Sequence, residues 1–142
     1  MKKIILKPKF KIESDLNLRN LSTLNIQQKI RNISDTKILY QNKERKLDEL
    51  FNCKIEVSKK KESEIILYNL NEKCNYIGWK MKSGEITVFS NVGSYIGGKM
   101  SGGKITIHGS AENYLGSQMS GGSILVKGNT QDFIGSSLPG SK

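Results

Sequence analysis

The stretch YIGGKMSGGKITIHGSAEN, residues 95–113, runs without a gap into YLGSQMSGGSILVKGNTQD, residues 114–132. YIGWKMKSGEITVFSNVGS precedes it at 76–94, and FIGSSLPGSK follows at 133–142. Four glycines, Gly78, Gly97, Gly116 and Gly135, therefore stand nineteen residues apart. Met81, Met100 and Met119 keep the same step, with Leu138 in the fourth copy, as do Tyr76, Tyr95, Tyr114 and Phe133. A fixed period of this length marks repeats that stack, each burying its apolar face against the next.

Each copy holds one clear strand, EITV, KITI or SILV. Alternation turns Ile86, Val88, Ile105, Ile107, Ile124 and Val126 inward, and Glu85, Thr87, Lys104, Thr106 and Leu125 outward. The aromatic-aliphatic-glycine step, Tyr95-Ile96-Gly97 and its copies, reads as a second strand. The pairs Gly102-Gly103 and Gly121-Gly122 come just before the clear strand, where a tight corner needs positive φ or close backbone approach. Parallel stacking about 4.8 Å apart would set isoleucines, methionines and aromatics each in a column. The expected fold is mainly β: a right-handed parallel β-helix of nineteen-residue coils over 63–142, after a small α/β cap over 1–62. Calcium-binding nonapeptide repeats need an aspartate in each turn, and these turns have none.

The first part differs in composition, since all fourteen glycines fall at or after Gly78. Ile4-Ile5-Leu6 reads as a short strand that Pro8 ends or pushes to an edge. Asn25 with Gln28 resembles a helix start, and Ile26, Ile30 and Ile33 share a helical face. Lys37–Tyr40 reads as a strand, Gln41-Asn42-Lys43 as a turn, and Leu47, Leu50 and Phe51 as one apolar-faced turn. Ile55-Glu56-Val57 and Ile65-Ile66-Leu67 are further strand candidates.

The 142 residues carry a formal charge of +10, unevenly spread. Residues 1–75 hold seventeen basic and ten acidic side chains; residues 76–142 hold six and three. Lys59-Lys60-Lys61 is the densest run, and aromatics are few near the lysines. The stacking platform of a single-strand nucleic-acid binder is therefore missing, and nucleic acid is a disfavoured partner. No segment approaches the roughly 20 apolar residues that cross a bilayer. The apolar run in MKKIILKPKF is too short for a signal peptide. Cys53 and Cys74 sit in unrelated contexts, so a cytoplasmic location is expected.

Catalytic candidates are few. His108, the single histidine, ends an outward strand position shared with Phe89 and Lys127. One histidine and two remote cysteines do not make the usual metal ligand set, and no serine lies in a GxSxG elbow. The methionine column tolerates Leu138, which points to packing rather than soft-metal ligation. No Lys-Ser/Thr pair follows the glycine turns to hold phosphate. The expected catalytic, cofactor and metal residues in this chain are none.

The pattern Gly97-x-x-Met100-x-Gly102-Gly103-x-Ile105-x-Ile107-x-Gly109, repeated from Gly116 to Gly128, resembles a known motif. It is the GXGXG motif of the glutamate synthase C-terminal domain and of the β-helix subunit of formylmethanofuran dehydrogenase. Ile4-Ile5-Leu6-Lys7-Pro8-Lys9 and the stretch from Ile38 to Leu50-Phe51 resemble that dehydrogenase subunit. Ser90 stands where Gly109 and Gly128 stand, and Leu138-Pro139-Gly140-Ser141 breaks the M-x-G-G pattern. The resemblance implies a non-catalytic structural subunit of a tungsten or molybdenum formylmethanofuran dehydrogenase complex, which fixes carbon dioxide onto methanofuran in methanogenic archaea. It implies partners too: a metallopterin and iron–sulfur subunit, and an amidohydrolase-like subunit with its own metals. A glutamate-synthase-like or free-standing scaffold module is the alternative. In those relatives several more coils follow, and residues 129–142 hold no amphipathic helix to lie across Ile124, Val126 and Phe133, so the last rung is expected to be covered by a partner subunit or by a continuation of the same coil.

Overall fold

In the computed structural model, residues 2–21, 36–57 and 59–130 are described. The helix expected around Asn25 and Gln28 lies outside them, as do Phe133, Gly135 and Leu138. Ten strands and one helical turn form among the described residues: β1 Lys2–Pro8, β2 Leu16–Asn17, β3 Lys37–Tyr40, β4 Lys43–Lys46, α1 Leu47–Leu50, β5 Phe51–Val57, β6 Glu64–Tyr68, β7 Cys74–Asn75, β8 Glu85–Phe89, β9 Lys104–Ile107 and β10 Ser123–Val126.

Alternation explains the larger sheet. Every member of β6, β8, β9 and β10 carries Ile-x-(Leu/Val/Ile), and equal residues meet when these strands pair in parallel. β1 has the same alternation, Ile4-Ile5-Leu6, and pairs in parallel with β6, Ile4 opposite Ile65 and Leu6 opposite Leu67. β5 closes the other side of β1 antiparallel, with Ile55 opposite Ile4. The strand order is β10-β9-β8-β6-β1-β5. One unbroken row therefore reads Ile55, Ile4, Ile65, Ile86, Ile105, Ile124. Ile4, Ile65, Ile86 and Ile105 are buried in it, each such side chain contributing about 2 kcal/mol of apolar burial.

The second sheet, ordered β4-β3-β2-β7, is built by a hairpin and two short strands. Gln41 and Asn42 both take left-handed backbone, φ 55° and 60°, as a two-residue hairpin turn between β3 and β4 requires. β2 joins this hairpin to the repeats, antiparallel to β3 and parallel to β7. α1 buries Leu47 and Leu50, and one apolar cluster runs from Ile4, Leu16 and Phe51 through Met81 and Ile105 to Leu115.

The expected right-handed parallel β-helix preceded by an α/β cap is therefore corrected. The molecule is mainly β, with two mixed sheets and almost no helix among its described residues. Two findings overturn the expectation. Only one strand forms per nineteen-residue unit, because Tyr76, Tyr95 and Tyr114 take left-handed backbone (φ 63°, 60° and 61°) and break the supposed second strand. In addition, β1 and β5 enter the same sheet as the repeat strands instead of capping it. Pro8 ends β1 as expected, yet β1 is an interior strand; a proline in its last position costs the ladder only the final N–H.

Candidate interaction surface

The repeat glycines and methionines act together. Gly78, Gly97 and Gly116 take φ of 75°, 69° and 65°. A Cβ on Gly78 would strike the Ile105 side chain, and one on Gly97 would strike Ile124. Their backbones bridge the units: the Gly97 N–H donates to the Ile77 carbonyl at 2.7 Å, and Gly116 to Ile96 at 2.8 Å. The paired glycines divide the work. Gly103 and Gly122 have φ of 85° and 82°, whereas Gly102 and Gly121 lie against the carbonyls of Lys82 and Ser101. Met81 packs beneath Gly103 and Met100 beneath Gly122, both methionines fully buried; Met119 is half-buried.

Two polar columns share the nineteen-residue step, and sequence reasoning missed them. Asn75 Oδ1 accepts the Ser94 N–H at 2.7 Å, and Asn91 Oδ1 accepts the Ser110 N–H at 2.8 Å. Ser110 Oγ then accepts the Asn129 N–H at 3.0 Å. The signal is present in the spacing of Asn91, Ser110 and Asn129. These side chains supply the acceptors that a turn backbone needs where no strand pairing is possible.

Aromatic side chains line two outer corners. Tyr76, Tyr95 and Tyr114 stack with centroids 5.0 and 4.8 Å apart, and Trp79 meets Tyr76 edge-on at 5.1 Å. Lys99 Nζ lies 5.6 Å from the Trp79 ring, a cation–π distance. On the sheet's outer face Tyr68 stacks on Phe89 at 5.2 Å, and Phe89 on His108 at 4.5 Å. The histidine is thus a member of an aromatic stack.

Two carboxylates on this face share one lysine. Glu64 and Glu85 are neighbours in the ladder, and like charges there repel. Lys60 bridges them, 3.6 Å from Glu64 and hydrogen-bonded to Glu85. That bond to Glu85, with attraction from both carboxylates, raises the Lys60 pKa despite some desolvation. Cys74 is buried and Cys53 half-buried, both as free thiols. Burial pushes the Cys74 thiol up to about 11 and raises that of Cys53. Among the described residues no three His, Cys, Asp or Glu side chains come together to hold a metal. Nor is any helix there long and apolar enough to cross a membrane. What this surface presents is stacked rings, a net basic charge and strand edges.

No protein-family model matches the sequence, and no curated protein matches it. Among solved structures, the fold is similar to a chain in the crystal structure of the formyltransferase/hydrolase complex from Methylorubrum extorquens in complex with methylofuran. The TM-score is 0.59 at 16% identity, over 89% of this chain and 56% of that one. This chain thus spans little more than half the length of the chain it resembles, and at that identity the likeness is one of fold.

Proposed function

We propose that this chain is a non-catalytic structural subunit of a one-carbon complex of the formylmethanofuran dehydrogenase type. The observation that carries the reading is the fold likeness to a chain of the formyltransferase/hydrolase complex, extending over 89% of this molecule. The sequence pattern Gly97-x-x-Met100-x-Gly102-Gly103, with its copy from Gly116, supports it independently. So does the use made of reactive side chains: His108 is stacked on Phe89, Cys74 is buried, and the methionines pack under glycines. In this reading the metallopterin, the iron–sulfur clusters and the amidohydrolase metals belong to partner subunits.

Affinity purification of the tagged chain from its native cells tests the proposal. Co-elution with a metallopterin subunit and an amidohydrolase-like subunit is the expected result. Co-elution with glutamate synthase chains, or turnover by the purified chain alone, would sink it.

A further inference from the structure

We propose that the free edge of β5 pairs antiparallel with β5 of a second copy of this chain, about a two-fold axis centred at Ile55. β5 ends the six-stranded sheet among the described residues. A seven-residue edge strand presents a row of backbone groups that template further pairing. Its core-facing side chains behave as though a neighbour were missing. Ile55 continues the isoleucine row of Ile4 and Ile65, yet it is 45% exposed, and Val57 is 89% exposed.

Charge selects both the partner and the register. Centring on Ile55 sets Lys54 of each copy opposite Glu56 of the other, so two ion pairs form. It also sets Cys53 opposite Val57, apolar against apolar, and Ile55 opposite Ile55. Centring on Lys54 instead would place lysine on lysine, and centring on Glu56 would place glutamate on glutamate; like charges directly opposite oppose pairing. Lys54 already reaches Glu56 of its own strand at 3.0 Å, which places both charges on the sheet's outer side. A lone edge lysine normally deters strand addition; Lys-x-Glu around an isoleucine is self-complementary. The result is one twelve-stranded sheet with its isoleucine row unbroken across the axis. This inference is independent of the proposed place in a one-carbon complex.

Charge reversal tests it on the full chain by sedimentation equilibrium, with circular dichroism to check folding. The wild type is expected to dimerise reversibly. Lys54→Glu sets Glu against Glu, and Glu56→Lys sets Lys against Lys. Each should raise the dimer dissociation constant about tenfold or more. Mixing the two folded variants restores both ion pairs, so the mixture should dimerise as tightly as the wild type. A wild type that stays monomeric overturns the proposal. So does association that survives either single reversal, or a mixture of folded variants that stays monomeric.

Discussion

Ile105 has Ile86 on one side, Ile124 on the other and no exposed surface. Ile105→Ala should lower unfolding free energy by about 2–5 kcal/mol, through lost transfer energy and the cavity left behind. Ile105→Asp would bury an unpaired charge and should yield no folded protein, read by circular dichroism. At Gly103, φ is 85° and the Met81 methyl lies 2.8 Å from where a Cβ would stand. Gly103→Ala should therefore cost about 1–3 kcal/mol in a denaturant titration. Cys74 titrates far above its usual 9.0, at about 11, because its thiolate would be desolvated. A raised folded pKa means that this contribution is full below about pH 9 and lost as pH rises towards 11. Unfolding free energy should fall across that window by an amount on the order of 2 kcal/mol, and Cys74→Ala should flatten the fall.

At the level of elements, the register was legible and the left-handed tyrosine corners of the repeats were not. Once Ile86, Ile105 and Ile124 repeat at a fixed step, parallel pairing must align them. The hairpin turn at Gln41-Asn42, the short apolar turn at Leu47–Leu50, and the strands around Ile55 and Ile65 could likewise be read locally. The left-handed tyrosines could not, because bulky residues rarely take positive φ and Tyr95-Ile96-Gly97 reads as extended. Their strain is offset by ring stacking along the column, which depends on neighbours nineteen residues away. Tyr95→Asn separates the two effects, since asparagine tolerates left-handed backbone but cannot stack. The variant should lose about 1–2 kcal/mol, measured by urea unfolding. A loss near zero would mean that the stacks contribute nothing beyond relieving their own strain.

For the whole molecule, the sequence could show repeats but not what their first unit would pair with. Pairing β1 with β6 joins residues about sixty positions apart with no shared period, so only the matching Ile-x-Leu of Ile4–Leu6 and Ile65–Leu67 hinted at it. The antiparallel β5 then turns what read as a separate cap into the far edge of the same sheet. The candidate surface followed a similar course: the glycine and methionine columns and the Phe89–His108 position were visible as spacing, whereas Tyr68, off the nineteen-residue step, joins that stack only because β6 pairs with β8. The proposed structural role has His108 and the buried methionines used in packing rather than in chemistry. The most direct test of that proposal is the formylmethanofuran dehydrogenase turnover of the assembly purified with His108→Ala in this chain. If the chain is structural, kcat should match the wild-type assembly within about twofold. A fall of about a hundredfold or more in an intact assembly, as removal of an acid–base group gives, would contradict it.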